Sequence, residues 1–202
     1  MYRMIKRLFD FIFSLSGLVI VSPLIAVIAV VVKVESPGPV LYKGARAGKA
    51  GKPFRILKFR TMVVDAEEIG GPSTADDDPR ITKVGKFIRK YKLDELPQLI
   101  NVLKGEMSFV GPRPEVPIEV ETYNDEERRI LNVKPGITDY ASMTFHNEGE
   151  ILKGSSDPHQ AYREKIRPGK IRLALKYVDE QSFWVDLKII IQTIIALVKT
   201  RT

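Results

Sequence analysis

An uncharged apolar stretch from Phe11 to Val32 dominates the N-terminal part of the chain, and Ser22-Pro23 interrupts it at its centre. About 20 apolar residues in a helix are enough to cross the roughly 30 Å hydrocarbon core of a bilayer. Proline within a helix removes one hydrogen-bond donor and clashes with the carbonyl group four residues earlier, here that of Val19. In lipid this carbonyl needs another partner, and the Ser22 hydroxyl is a neighbouring candidate. The sequence therefore predicts a sharply bent helix.

A bent helix can leave the membrane through the leaflet that it entered, and the flanking charges agree with this topology. Lys and Arg usually concentrate on the cytoplasmic side of a spanning helix. Here they lie on both sides of the apolar stretch, at Arg3, Lys6, Arg7, Lys33, Lys43 and Arg46. We therefore predict a re-entrant membrane helix hairpin over residues 1–35 and a cytoplasmic catalytic domain over residues 36–202. A single kinked transmembrane helix is the alternative, whereas the apolar segment is too long for a cleaved signal peptide.

Composition restricts the partners of the chain. The 202 residues carry a net charge of +7, which favours acidic partners such as membrane phospholipids or phosphorylated substrates. No nucleic acid is expected, because the basic residues are dispersed and the aromatic residues are not interleaved with them. The chain has no cysteine, which excludes disulfides and thiolate metal sites, and its two histidines are too few for a His-based metal site. Any metal should therefore be a hard cation bound by carboxylate oxygens.

Beyond the membrane segment, the pattern predicts an α-rich α+β domain with helices around a short β-hairpin. The expected hairpin strands are Val40–Lys43 and Phe54–Phe59, and the acidic residues 65–78 suggest a mobile surface loop. Asp94 should cap a helix that has Pro97 in its first turn and stops at Gly105. Further helices are expected over Ile81–Tyr91, Ile118–Leu131, Tyr162–Val178 with an interruption at Pro168-Gly169, and Phe183–Lys199. The pattern of this last segment is equally compatible with a core helix and with an amphipathic interfacial helix that has Trp184 near its start.

The strongest chemical signal is the pair of adjacent carboxylates Asp94 and Glu95. Acidic residues are common in first helical turns, so the pair alone has an ordinary structural explanation. Its surroundings add cations that suit phosphate recognition, including a guanidinium on a stiff Gly-Pro-Arg-Pro loop. These cations are Lys58 and Arg60, which alternate along a predicted strand, Arg89, and Arg113. Together with a membrane anchor, the set predicts phosphate chemistry at a lipid surface.

Taken in order, these motifs resemble those of the small monotopic bacterial sugar transferases, a family of polyprenyl-phosphate phosphoglycosyltransferases. The resemblance covers nearly the whole chain. It comprises Lys-Arg-Leu-Phe-Asp at 6–10, Ser22-Pro23, Lys-Phe-Arg-Thr-Met at 58–62, Leu-Asp-Glu-Leu-Pro-Gln-Leu at 93–99, the run 101–114, Pro-Gly-Ile-Thr at 135–138, and 182–189. Many members continue after Pro-Gly-Ile-Thr with a Gly-rich stretch, whereas residues 139–149 differ here, which leaves the identity of the sugar open.

The resemblance implies transfer of a sugar-1-phosphate from a UDP-sugar to undecaprenyl phosphate, with release of UMP, as the first membrane step of surface glycan biosynthesis. The reaction would occur at the cytoplasmic face of the bacterial inner membrane. Asp94 would be the nucleophile of a covalent phosphosugar intermediate, and Glu95 would assist by holding Mg²⁺ or by handling a proton. The residues implied in binding substrate phosphate or nucleotide are Lys58, Arg60, Arg89, Gln98 and Arg113.

A magnesium ion is expected on physical grounds as well, because a diphosphate repels a carboxylate nucleophile. Mg²⁺ held by Asp94 and Glu95 together with substrate phosphates would screen this repulsion. A non-enzymatic alternative is a membrane-docked adaptor whose basic surface holds anionic lipid or a partner enzyme, and UMP release distinguishes the two. The sequence leaves the oligomeric state and the glycan pathway open.

Overall fold

The computed structural model describes residues 2–70, 73–145 and 147–199, and these form a helix-rich fold with two small β-sheets. The helices are α1 (Tyr2–Glu35), α2 (Ala66–Ile69), α3 (Lys83–Lys90), α4 (Gln98–Lys104), α5 (Pro117–Glu121), α6 (Tyr140–Thr144), α7 (Glu148–Ile151), α8 (Pro158–Lys165), α9 (Arg167–Glu180) and α10 (Phe183–Lys199). The strands are β1 (Leu41–Ala47), β2 (Pro53–Phe59), β3 (Ser108–Val110) and β4 (Gly136–Thr138). This confirms the predicted α-rich fold with a small sheet and an apolar N-terminal helix.

Helix α1 continues through Pro23 without ending there. The Ser22 hydroxyl donates to the Val19 carbonyl at 2.8 Å, which is the predicted partner for the carbonyl group that Pro23 cannot serve. Among the described residues, α1 is the one helix long and apolar enough to cross a membrane. The sharp bend and the re-entrant path remain predictions.

One narrow face of α1 packs against the rest of the protein. Asp10, Ser14, Ile28 and Val32 are buried along this face, but only 11% of the most apolar window of the helix is buried. The exposed apolar side chains include Phe11, Ile12, Leu15, Val19, Ile20, Leu24, Val27, Val30, Val31 and Val34. An apolar surface of this extent requires a covering other than water, which is consistent with membrane association.

The predicted hairpin is confirmed, with a longer first strand. β1 and β2 are antiparallel and pair from Leu41 with Phe59 to Ala47 with Pro53. A second sheet, the parallel pair β3–β4, was not predicted. A Cβ atom on Gly136 would lie 2.2 Å from the amide nitrogen of Gly111, so the close approach of the two chain segments requires glycine there.

The predicted helix over Ile118–Leu131 is wrong. Helix α5 ends at Glu121, and a separate 3₁₀ segment covers Glu127–Asn132. Asn124 Oδ1 accepts from the Glu127 amide at 2.9 Å, and the Glu127 carboxylate accepts from the Asn124 amide at 3.2 Å. This reciprocal cap begins a new segment in the middle of the predicted one.

The other helix predictions need smaller changes. Helices α3 and α10 confirm two predicted helices, and α8 and α9 separate at Ile166 rather than at Pro168-Gly169. The predicted acidic loop contains α2, its residues 71–72 lie outside the described residues, and Ala75 within it is buried against Leu152 and Ile166.

The part of the core that supports the site joins α1 to β2 and α3. Ile28 and Val32 of α1 pack with Phe59 at the end of β2 and with Ile88 of α3. A neighbouring cluster contains Val110, Val133, Tyr177 and Ile189 and connects β3 to α9 and α10. The membrane helix is therefore packed directly against the strand that carries Lys58.

Candidate active site

The two adjacent carboxylates lie in a short 3₁₀ turn, Leu93–Glu95, that precedes α4. The prediction that Asp94 caps α4 is wrong, because α4 begins at Gln98 and no side chain caps its N-terminus. Lys92 leads into the turn in the left-handed conformation, with φ 55°, and Pro97 has no N–H with which to extend the turn into α4. The stop at Gly105 is confirmed, with φ 84°.

Glu95 is held by two cations from different parts of the fold. Lys58 Nζ donates to Glu95 Oε1 at 2.9 Å. Arg113 Nη2 donates to the same oxygen, and Arg113 Nη1 lies 3.4 Å from Glu95 Oε2. The structure thus brings together the end of β2, the 3₁₀ turn and the loop after β3, and these three segments form the candidate site.

The two carboxyl groups have opposite pKa shifts. Burial favours the neutral form of Glu95, but the charges and hydrogen bonds of Arg113 and Lys58 outweigh it and hold the pKa of Glu95 well below its ordinary range. Burial and the neighbouring charge of Glu95 raise the pKa of Asp94, against the opposing charges of Lys58 and Arg89. Burial also lowers the pKa of Lys58. Glu95 is therefore a paired anion, whereas Asp94 carries its charge at an energetic cost.

Asp94 is also the more available of the two groups. It is buried, with an exposed fraction of 8%, and its carboxylate accepts no hydrogen bond from the described residues. A carboxylate that is desolvated, perturbed and unengaged has the properties of a nucleophile. Glu95 Oε1, in contrast, accepts from both Lys58 and Arg113.

Arg89 and Gln98 contribute donors that remain unsatisfied. Within the described part of the chain, the buried atoms Arg89 Nη1 and Gln98 Nε2 have no hydrogen-bond partner. Arg89 acts on Asp94 through its charge, and Gln98 is the first residue of α4, three positions after Glu95. Buried donors without partners are rare and costly, so a ligand that satisfies them is a natural explanation.

The structure does not bring Arg60 into this cluster. Its guanidinium donates to the Pro37 carbonyl at 2.6 Å and to the Ser36 carbonyl at 2.8 Å, just beyond the end of α1. The sequence-based expectation placed Lys58 and Arg60 on one face of a strand, but β2 ends at Phe59 and Arg60 lies beyond it. The expected shared site for Lys58 and Arg60 is therefore not found.

Two supporting residues were missed by the sequence analysis. Asn101 of α4 accepts from the Leu57 amide at 3.0 Å and donates to the Arg55 carbonyl at 2.9 Å, which fixes β2 next to Lys58. Asp139 accepts from the Arg113 amide at 3.3 Å and caps α6. Asn101 lies within one of the family motifs, and Asp139 has a residue type favoured at helix N-termini, but neither signal indicates its tertiary partner.

The donor set of the site fits a magnesium ion shared with substrate rather than a preformed metal cage. Across the described residues there is no group of three or more His, Asp or Glu side chains that could hold a metal ion. Asp94 offers free carboxylate oxygens, and Glu95 Oε2 is only weakly engaged. Mg²⁺ commonly binds through one or two carboxylates together with substrate phosphates.

Comparison with known proteins agrees with these features. The family model described as "Bacterial sugar transferase" matches residues 1–200. A protein of Bacillus subtilis (strain 168) is 50% identical over 125 residues, which cover 62% of this chain and 70% of the relative. The UDP-glucose:undecaprenyl-phosphate glucose-1-phosphate transferase of Escherichia coli (strain K12) is 37% identical over 95% of this chain and 40% of the relative.

A third relative gives the same picture. The UDP-N-acetylgalactosamine-undecaprenyl-phosphate N-acetylgalactosaminephosphotransferase of Aeromonas hydrophila is 38% identical over 96% of this chain and 43% of the relative. The chain thus spans less than half the length of the Escherichia coli and Aeromonas hydrophila proteins. Because the family match extends over nearly all of its residues, the chain belongs to the bacterial sugar transferase family.

Proposed function

We propose that the protein transfers a sugar-1-phosphate from a UDP-sugar to undecaprenyl phosphate, with Asp94 as the nucleophile. The observation that carries the proposal is the buried, unengaged Asp94 carboxylate beside the Glu95–Lys58–Arg113 ion-pair group. The names of the relatives support the substrate classes, because they specify UDP-sugars and undecaprenyl phosphate. The differing sugars in those names leave the sugar of this chain open.

In the first displacement, an Asp94 carboxylate oxygen attacks the phosphorus that carries the sugar. A bond forms between this oxygen and phosphorus, the bond from phosphorus to the bridging oxygen breaks, and UMP leaves with that oxygen. Arg89, Lys58 and Arg113 supply positive charge around the transferring phosphoryl group. Mg²⁺, held by Asp94 and Glu95, would screen the charge of the diphosphate when bound.

In the second displacement, an oxygen of undecaprenyl phosphate attacks the same phosphorus. The bond between Asp94 and phosphorus breaks, which releases the undecaprenyl-diphosphate sugar and regenerates the carboxylate. Because one side chain carries the phosphosugar between the two steps, the soluble and the lipid substrates need not be bound together.

We further propose that α1 is re-entrant and that both of its ends lie at the cytoplasmic face of the inner membrane. At the N-terminal end, Tyr2 and Lys6 bind Asp186 at 2.8 and 2.6 Å. At the other end, the Glu35 carboxylate accepts from the Val84 amide at 2.8 Å. A helix of 34 residues is about 50 Å long, so a spanning helix would place these ends on opposite sides of the bilayer. Contacts of both ends with one globular unit support same-side exit.

Helix α10 supports the same placement through its exposed apolar residues. Ile189 is fully buried, whereas Trp184 and Ile194 are 74% and 57% exposed. Its N-terminal residue Phe183 also makes an edge contact with Phe9 of α1. The exposed face of α10 therefore serves as an interfacial surface next to the membrane helix.

The test of the reaction uses the purified chain with Mg²⁺ and a panel of UDP-sugars, with and without undecaprenyl phosphate. We expect UMP release and, without the lipid, an intact-mass increase equal to one phosphosugar. Asp94→Asn should abolish both, whereas Asp125→Asn, an exposed acidic control, should have no effect. Turnover by Asp94→Asn would exclude Asp94 as the nucleophile, and lipid binding without UMP from any UDP-sugar would favour the adaptor.

The topology test uses the absence of cysteine in the chain. Single cysteines introduced near each end of α1 should react with a membrane-impermeant reagent from the same side of sealed vesicles. Labelling from opposite sides would exclude the re-entrant helix. Pro23→Ala is expected to shift part of the population toward the spanning form.

A further inference from the structure

Arg60 occupies an unusual position between the membrane helix and the active-site strand. It is buried, with an exposed fraction of 7%. Its Nη1 donates to the Pro37 carbonyl at 2.6 Å, and its Nη2 donates to the Ser36 carbonyl and hydroxyl at 2.8 and 2.9 Å. Nη2 also lies 3.4 Å from the Val32 carbonyl in the last turn of α1. The guanidinium therefore caps the C-terminal end of the helix, where carbonyl groups lack helical partners and cations are favoured.

The chain around this cap is shaped to fit a guanidinium. Gly38 has φ 115°, and a Cβ atom there would lie 2.2 Å from Arg60 Nη1. An L-residue at this position would be strained and would displace the guanidinium. The backbone also contributes, since the Arg60 amide donates to the Val40 carbonyl at 2.9 Å.

Three consecutive residues connect this cap to the candidate site. Lys58 binds Glu95 at 2.9 Å, Phe59 packs against Ile28 and Val32 of α1, and Arg60 holds the end of the same helix. The position of α1 relative to the carboxylate pair is thus fixed through a segment of three residues. Arg60 itself forms no hydrogen bond or ion pair with Asp94 or Glu95.

We propose that Arg60 is a positioning residue that sets the height of the site above the membrane and is therefore required for the lipid half of the reaction. This inference rests on the proposed function. The phosphate of a polyprenyl lipid is held at the headgroup level, so its approach to Asp94 depends on how α1 sits against the domain. A soluble UDP-sugar has no such constraint. Loss of the cap should leave the first displacement nearly intact and slow the second.

The experiment separates the two displacements in lipid nanodiscs. The first is measured as UMP released per protein from a UDP-sugar without lipid acceptor, and the second as the loss of the intact-mass adduct after undecaprenyl phosphate is added. The variants are Arg60→Gln, Arg60→Lys and Gly38→Ala. The matched control is Arg55→Gln. Arg55 lies on the strand that leads to Arg60 and is exposed, and within the described residues its side chain donates only to the Lys43 carbonyl, at 3.2 Å.

For Arg60→Gln and Gly38→Ala we expect adduct formation within about twofold of the wild type. Adduct decay should be slowed by about 10- to 100-fold, because a misplacement of ~1 Å can cost about 100-fold in rate. Arg60→Lys should fall between, because an ammonium group cannot bind two carbonyls as a planar fork. Arg55→Gln should change neither step. Equal losses in both steps, or unchanged decay of the adduct, would overturn the proposal.

Two features keep this test decisive. Gly38→Ala retains every charged side chain, so it decides the question if Arg60→Gln does not fold. A bimane label on Val34→Cys, at an exposed position near the end of α1, should show altered quenching by lipid-borne quenchers when the cap is lost, and unaltered quenching would also count against the proposal. If the wild type forms no adduct with any UDP-sugar, the proposed function itself fails, which is a different result.

Discussion

The Lys58–Glu95 ion pair offers the sharpest quantitative test of the candidate site. At the observed separation of 2.9 Å, the attraction between the two charges is about 6 kcal/mol at an effective dielectric constant of about 20. Part of this attraction is offset by the cost of burying the ammonium group, which is visible in the lowered pKa of Lys58. Breaking a buried pair typically costs 3–5 kcal/mol. Since Arg113 still donates to Glu95, we expect Lys58→Met to lower the free energy of unfolding by about 3 kcal/mol, the lower end of that range.

A double-mutant cycle with Glu95→Gln, followed by chemical denaturation in micelles, isolates this interaction. The coupling energy should be about 2 kcal/mol, because both partners are mostly buried. Lys52→Met is a suitable control, since Lys52 is exposed in the hairpin turn; its effect should stay within about 0.5 kcal/mol. A coupling energy near zero would refute the view that Lys58 stabilises the Glu95 charge.

The same variant has a predicted effect on pH dependence. Lys58 is the strongest of the positive charges that lower the pKa of Asp94, so Lys58→Met should raise that pKa further. Asp94 must be ionised to attack phosphorus, and the acid limb of adduct formation should therefore move to higher pH. An unchanged acid limb in a folded variant would contradict the electrostatic account of Asp94.

Other expected outcomes follow from the same geometry. Asp94→Asn should be about 1 kcal/mol more stable than the wild type at neutral pH. Because the pKa of Asp94 is raised in the folded state, the stability of the wild type falls as pH rises from the unfolded-state pKa of ~3.9 to the folded-state pKa, and the difference should vanish below about pH 4. Chemical denaturation at both pH values checks this. Asn101→Ala should cost about 2–3 kcal/mol, because it leaves the Leu57 amide and the Arg55 carbonyl unpaired, whereas the exposed Asn132→Ala should cost little. EDTA should abolish UMP release but shift the melting temperature by less than about 1 °C, because the described residues offer no preformed metal cage; a large shift would indicate a structural metal.

The parts of the fold that sequence reasoning identified depend on local signals. The apolar length of α1 and the bond from the Ser22 hydroxyl to the Val19 carbonyl depend on neighbouring residues, and both are found in the structure. The β1–β2 hairpin is equally local, because its strands are joined by a short turn. A phosphate site that includes Lys58, Arg113 and the carboxylate pair was predicted from their charges and settings. The ion pairs of both cations with Glu95 were not predicted, since 37 and 18 positions separate these cations from Glu95.

The parts that sequence reasoning missed depend on tertiary contacts or on single backbone angles. β3 and β4 have three residues each, too few for a periodic pattern, and they pair across 28 positions of sequence. The carboxylate turn begins after Lys92 in the left-handed conformation, which its residue type does not favour. The turn is separated from α4 at Pro97, which has no N–H to extend it. Arg60 was predicted to bind substrate phosphate because its charge is evident in the sequence. The carbonyl groups that it binds could be located only in the three-dimensional structure.

The inward face of α1 makes this apolar helix part of the protein's own interior. Its Asp10 carboxylate accepts from the Ser108 hydroxyl and the Phe109 amide, and its Val32 fills the space beside Phe59. Deleting the segment to obtain a water-soluble catalyst would open a hole in the interior and leave these polar groups unpaired. A variant that is soluble without detergent should instead keep the buried face of α1. Only the exposed valines and isoleucines of the helix would be replaced by polar residues, so solubility would come from changing one face of the helix rather than from deleting it.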